Sequence, residues 1–137
     1  MALLSTKGVY GLSAMYQLFL AKTDQPMQIK EISAKAEIPQ NYLEQLLILL
    51  RQAGLVKSIR GAYGGYILAK NAQEISIKEI LIALEGTLSV TEMQMNNPVL
   101  KLFYEQHNRA LEALFEQPLS EFDTLAQQLY AELSYSI

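Results

Sequence analysis

The chain has 137 residues, of which 50% are hydrophobic and 18% charged, with no cysteine and one histidine. That length and composition suit one globular domain and exclude a disordered chain, a run of the roughly 18–20 apolar residues a membrane span needs, and any disulfide or thiolate metal site. The net charge of −3 is uneven: residues 1–70 hold eight Lys/Arg and four Asp/Glu, or +4, whereas residues 71–137 hold three and ten, or −7, so a polyanion is expected to meet only the first half.

Ser5, Thr6 and Lys7 interrupt the opening apolar residues, so a secretory leader is not expected and the cytoplasm is the simplest compartment. Thr6 is expected to cap a first helix running to about Lys22, in which Val9, Leu12, Tyr16 and Leu20 recur at helical spacing. Thr23-Asp24-Gln25-Pro26 reads as a turn, and a short helix follows from about Ile29 to Ala36. Pro39 suits the first turn of a third helix that runs to about Ala53 and stops at Gly54. Val56–Ile59 and Tyr66–Ala69 read as strands joined by a tight turn over Arg60–Gly65, whose glycines supply the backbone freedom of a hairpin tip. Ser76 with Glu79 forms a capping box for a fourth helix ending near Gly86. Thr87–Asn97 reads as a loop. Asn97-Pro98 then starts a long helix that ends before Pro118, and Ser120 with Asp123 opens a last helix to about Leu133. The order predicts a mainly α fold with a small β-hairpin: a winged helix-turn-helix over residues 1–86, then a loop and dimerisation helices over 87–137, all in one compact unit.

At about 100° per residue, Leu43, Leu46, Leu47 and Leu50 of the third helix share its core face. Gln40, Asn41, Glu44 and Gln45 fall opposite, near the helix start. A recognition helix sets such residues against base edges: Asn and Gln pair with adenine, and Glu accepts from cytosine. An ordinary amphipathic helix with a solvated face has the same pattern. Phosphate contacts would come from Lys7, Lys30, Lys35, Arg51, Lys57 and Arg60. The segment Arg60-Gly61-Ala62-Tyr63-Gly64-Gly65-Tyr66 is the most specific in the chain. Arginine beside glycine at a hairpin tip suits the narrow, electronegative minor groove, although a plain turn is the simpler alternative. A phosphate-cradling nucleotide loop is excluded, because no Gly-Lys-Ser/Thr follows and the next element is a strand.

In the long helix Lys101, Glu105, Asn108, Arg109, Glu112 and Glu116 share a polar stripe, and apolar residues take most of the rest. Leu100, Tyr104, His107, Leu111 and Leu114 follow a 4-3-4-3 spacing, which suits a helix-helix seam, and Phe103 adjoins it. The helix is expected to pack on its own domain on one side and on a second copy on the other. His107 reads as a hydrogen-bonded interface residue rather than a metal ligand or pH sensor, because it has no cysteine or second histidine to share a metal with. Met93 and Met95, two apart in the loop, could bind a soft metal but read more simply as loop or core residues. Nucleophilic and metal hydrolysis lack their usual parts, so an enzyme is not expected. A winged-helix protein-interaction module that does not touch DNA is the other reading.

The chain resembles the Rrf2 family of bacterial transcription regulators. The resemblance runs through Ser5-Thr6-Lys7-Gly8-Val9-Tyr10, Ile32–Ile38, Tyr42–Leu47, Leu49–Val56, the wing segment and Ile77-Lys78-Glu79-Ile80, covering about residues 3–86. It implies a cytoplasmic winged-helix homodimer, often a repressor, on a partly palindromic double-stranded DNA operator. It also implies that Asn41, Glu44 and Gln45 contact the major groove, that Arg60 and Gly61 contact the minor groove, and that Thr6, Lys7 and Tyr10 lie near phosphates. Tyr63 departs from the family, many of whose members carry a small residue there. Well-known relatives hold an iron–sulfur cluster through three cysteines in the loop before the long helix. With no cysteine here, no cofactor and no metal are expected, and any signal would come from a small-molecule or protein effector, or from protein abundance.

Overall fold

The computed structural model describes residues 1–21 and 24–135. Among them are six helices and a two-stranded antiparallel sheet: α1 (Thr6–Ala21), α2 (Ile29–Ala36), α3 (Gln40–Gln52), β1 (Val56–Ile59), β2 (Gly65–Leu68), α4 (Ile77–Glu85), α5 (Pro98–Leu114) and α6 (Glu121–Tyr135). The fold is a winged helix-turn-helix, mainly helical, with the hairpin as its wing. Helices α1, α3 and α4 pack together around Met15, Leu18, Leu43, Leu46, Leu47, Leu50, Ile80, Leu81 and Leu84, and α2 adds Ile32. No polar residue is buried among the described residues.

The buried face of α1 is not the one its large apolar residues suggest. Val9 and Leu20 are each 51% exposed, whereas Gly8, Gly11, Ala14, Met15 and Leu18 are buried. The reason is close approach. A Cβ on Gly11 would stand 2.2 Å from Leu84 Cδ1, so only glycine lets α1 lie this near α4. Thr6 is the first residue of the helix rather than its expected cap; Ser5 stands before it, and its carbonyl accepts the Val9 N–H at 3.2 Å. Lys22, the expected helix end, and Thr23 of the expected turn lie outside the described residues.

Helix α2 ends at Glu37, a non-glycine residue in the left-handed region (φ 57°, ψ 47°), which turns the chain sharply into α3. The turn is stabilised by the Ile38 N–H donating to the Ser33 carbonyl at 3.1 Å and by burial of Ile38. Pro39 takes the N-cap position of α3 rather than its first turn. Gly54 (φ 76°) stops that helix where expected.

In the hairpin Val56 pairs with Leu68 and Ile59 with Gly65, so the return strand begins one residue earlier than the sequence suggests. On its other side β2 meets Met27, with Met27 N–H donating to the Tyr66 carbonyl at 3.0 Å and Tyr66 N–H to the Met27 carbonyl at 2.8 Å. Gly65 (φ 148°) is confined by this contact: a Cβ there would lie 2.5 Å from the Met27 carbonyl.

Helix α4 opens with the expected capping box: Ser76 Oγ accepts the Glu79 N–H at 3.0 Å, and Glu79 accepts the Ser76 N–H at 2.9 Å. The Ser76 backbone bond and Lys70, 3.1 Å away, hold the Glu79 carboxyl below its usual pKa despite partial burial. Asn97 caps α5 by accepting from Val99 and Leu100 at 2.9 and 3.2 Å. That helix stops at Leu114, short of the expected Gln117. The carbonyls of Phe115 and Gln117 instead accept the first-turn N–H groups of Lys78 and Ile77, at 2.7 and 2.9 Å. The last turn of α5 is thus given up to satisfy the donors at the start of α4.

Candidate nucleic-acid interface

Helix α3 turns Leu43, Leu46, Leu47 and Leu50 into the core and leaves Gln40, Asn41, Glu44, Gln45 and Arg51 exposed. Pro39 supplies no side-chain cap, so the first N–H groups of α3 stand beside Gln40 and Asn41 without one. Tyr42 packs edge-to-face on Tyr10 of α1, with ring centroids 5.7 Å apart, and this ties the start of α1 to α3.

The start of α1 is held from a residue the sequence does not reveal. Glu85, the last residue of α4, accepts from Ser5 N–H at 2.9 Å, Ser5 Oγ at 2.6 Å and Gly8 N–H at 3.0 Å. One carboxylate thereby caps the positive end of α1 and fixes exposed Thr6 and Lys7. No local pattern points to it, because the partners are 77 and 80 residues apart in sequence.

Arg60 and Gly61 are exposed at the wing. A groove of about 460 Å³ separates the wing from the start of α2, with Gln28 and Lys30 on one wall and Ser58, Arg60 and Gly61 on the other. Lys35 is paired with Glu31 at 3.2 Å, but Lys7, Lys30, Arg51, Lys57 and Arg60 enter none of the ion pairs found among the described residues. The basic groups therefore remain available around an exposed polar helix face and a wing.

The family described as "Rrf2: Iron-dependent Transcriptional regulator" matches residues 4–130. The chain belongs to the Rrf2 family. It is 46% identical over 90 residues to the HTH-type transcriptional regulator CymR of Bacillus subtilis, a match spanning 66% of this chain and 65% of that protein. It is 40% identical over 91 residues to the HTH-type transcriptional regulator IscR of Photorhabdus laumondii, across 66% of this chain and 56% of that one. The match therefore covers less than two thirds of either curated relative. The solved structure of CymR (YrzC), the global cysteine regulator of B. subtilis, superposes with a TM-score of 0.79 at 35% identity, covering 91% of this chain and 98% of that one. The family and these relatives are regulators of transcription, not enzymes.

The family's iron can be tested against this Rrf2 chain's own donors. Cysteine is absent from the whole sequence, so no thiolate can hold a cluster. Met93 and Met95 offer only neutral thioethers, and Met93 is 72% exposed. His107 places Nδ1 2.8 Å from the Phe103 carbonyl, to which it donates in the matching tautomer, and its ring lies 4.0 Å from that of Phe103. Among the described residues no three His, Cys, Asp or Glu side chains gather to hold a metal. The residues present do not fit an iron–sulfur cluster.

The residues expected at a dimer seam fall into two groups. Leu100, Phe103, His107 and Leu114 are exposed and Tyr104 is half-buried, but Leu111 is only 8% exposed within its own chain. On the side of α5 that packs on its own domain, Leu111 is the one buried residue. The seam residues named from the sequence all lie on α5, whereas α6 also leaves Leu125, Leu129, Tyr130 and Leu133 about half exposed or more.

Proposed function

We propose that this protein is a cytoplasmic repressor that binds a partly palindromic operator as a homodimer. The observation that carries the reading is the exposed row Gln40, Asn41, Glu44 and Gln45 on α3, next to a wing bearing unpaired Arg60. In this reading the row contacts base edges in the major groove, Arg60 and Gly61 enter the minor groove, and Thr6, Lys7, Tyr10 and Arg51 lie along phosphates. A second copy covers Leu100, Phe103, His107 and Leu114 of α5, together with the apolar face of α6, and Tyr104 and Leu111 support that seam from within the chain. Apolar surface on two adjoining helices is more than a monomer ordinarily leaves in water. Two-fold pairing would place the two α3 helices in successive major grooves, about 34 Å apart.

An effector, small molecule or protein, would act at the junction of the 87–97 loop and α5. A polar cavity of about 420 Å³ lies there, lined by Met93, Met95, Lys101, Tyr104, Glu105 and Asn108. Only Gly86 separates that loop from Glu85, so movement of the loop would be felt at the start of α1.

Selection from genomic fragments followed by binding titrations over a range of salt tests the reading. A partly palindromic motif should emerge, and affinity should fall steeply with salt as neutralised phosphates release counterions. No enriched motif, or binding indifferent to salt, would refute it.

A further inference from the structure

Tyr63 is 93% exposed at the tip of the wing. No hydrogen bond or ring contact involves its side chain among the described residues, and its burial contributes little to the fold. Yet its mounting is rigid. The Gly64 N–H donates to the Gly61 carbonyl at 3.0 Å, closing a turn with Tyr63 at its third position. Gly64 is buried so tightly that a Cβ would lie 2.1 Å from the Ile59 carbonyl. Just behind, the two hydrogen bonds between Tyr66 and Met27 fasten the hairpin to the segment leading into α2. A bare aromatic ring on a stiff platform, three residues from Arg60, is arranged to enter something narrow.

We propose that Tyr63 reads minor-groove shape, its ring sliding edge-on between the groove walls beside the Arg60 guanidinium. This rests on the DNA-binding reading above and adds a specificity residue to it. The groove is about 6 Å wide, and its floor shows only acceptors at A·T pairs but carries the protruding guanine 2-amino group at G·C pairs. A flat ring fits the first floor and collides with the second. Narrow A·T tracts also deepen the negative potential that draws Arg60. The two residues thus read different properties of one site: Arg60 the potential, Tyr63 the space. A tyrosine has only two side-chain torsions to fix, so the ring loses little entropy on entering.

The test uses the full chain and a selected operator. Minor-groove footprinting locates the base pairs under the wing, and these are then made A·T, G·C or inosine·C. Inosine lacks the 2-amino group but keeps guanine's major-groove edge. The native protein should bind the A·T and inosine·C operators alike and the G·C operator about tenfold more weakly. Tyr63→Ala should keep its thermal midpoint, lose about tenfold on the first two operators, and discriminate no longer. Its log affinity against log salt should keep the native slope, because no charge is lost, whereas Arg60→Ala removes a cation that displaces counterions from the groove and should reduce that slope by up to about 0.9. Tyr63→Ala binding with native affinity and native A·T preference would overturn the proposal while leaving the DNA-binding reading intact. An inosine·C operator bound as weakly as G·C would also overturn it, by moving the discrimination to the major groove. A native chain that binds no operator would overturn both.

Discussion

Gly11→Ala sets helix propensity against packing. In an unconstrained helix interior alanine is more stable than glycine by about 1 kcal/mol. At Gly11 the added carbon would stand 2.2 Å from Leu84 Cδ1, 2.6 Å from Cδ2 and 2.9 Å from Cγ. Leu84 is itself 3% exposed and belongs to the core, so shifting its side chain means repacking its neighbours. Overpacking of this kind typically costs ~1–3 kcal/mol. The clash more than offsets the propensity over most of that range, and a net loss of up to about 2 kcal/mol is expected. For a chain of this size the thermal midpoint should fall by up to roughly 8 °C. Urea unfolding followed by circular dichroism, at one protein concentration so that association is held constant, measures the loss. A second background gives a test of sign. Leu84→Ala alone should cost about 2–5 kcal/mol by leaving a cavity. In that background Gly11→Ala should become stabilising, because the new methyl group enters vacated space. If Gly11→Ala stabilises the native chain, or costs the same in both backgrounds, close approach of α1 to α4 is not what requires glycine.

Arg60→Ala should weaken operator binding by about 1–3 kcal/mol with fold and proposed dimer unchanged; native affinity at moderate salt would remove the wing from the proposed reading mechanism. Glu44→Ala should change which operators are bound more than how tightly, since an exposed carboxylate facing phosphates persists by discriminating between bases; uniform tightening across a panel of operators would mark it as a nearby charge only. Leu100→Asp with Phe103→Asp should give folded monomers in sedimentation, because both residues are 48% exposed and leave the chain's own core untouched; an intact dimer would place the interface elsewhere. Leu111→Asp, by contrast, should lose stability as well as association, because it buries a charge within the chain itself. Purified without air from an iron-supplied host, the protein should be colourless, and brown protein with stoichiometric iron and sulfide would refute the donor argument.

Elements whose signals are local were legible in the chain. Ser76 and Glu79 lie three residues apart, so their capping box can be read directly, and so can Asn97-Pro98 at the start of α5 and Gly54 at the end of α3. The leucine face of α3 and its opposing polar row follow from one period, and both strands of the wing are placed to within a residue. Family membership was legible for the same reason, being carried by short contiguous segments of the first 86 residues.

What only the tertiary structure decided depends on partners distant in sequence. Periodicity weighs large apolar side chains, so it passed over the Gly8–Gly11–Ala14 face of α1, whose value lies in what it lets Leu84 approach. Glu85 looked like any helix-end carboxylate until folding brought Ser5 and Gly8 to it. The last turn of α5 was lost to donors at the start of α4, a competition no helical pattern can register. The spacing that grouped Leu111 with Leu100 and Leu114 is blind to which side of a helix its own chain covers, and only packing separates the buried leucine from the exposed ones. Sequence records the preferences of each segment, whereas burial and long-range hydrogen bonds are properties of pairs, and the pairs exist only once the chain has folded.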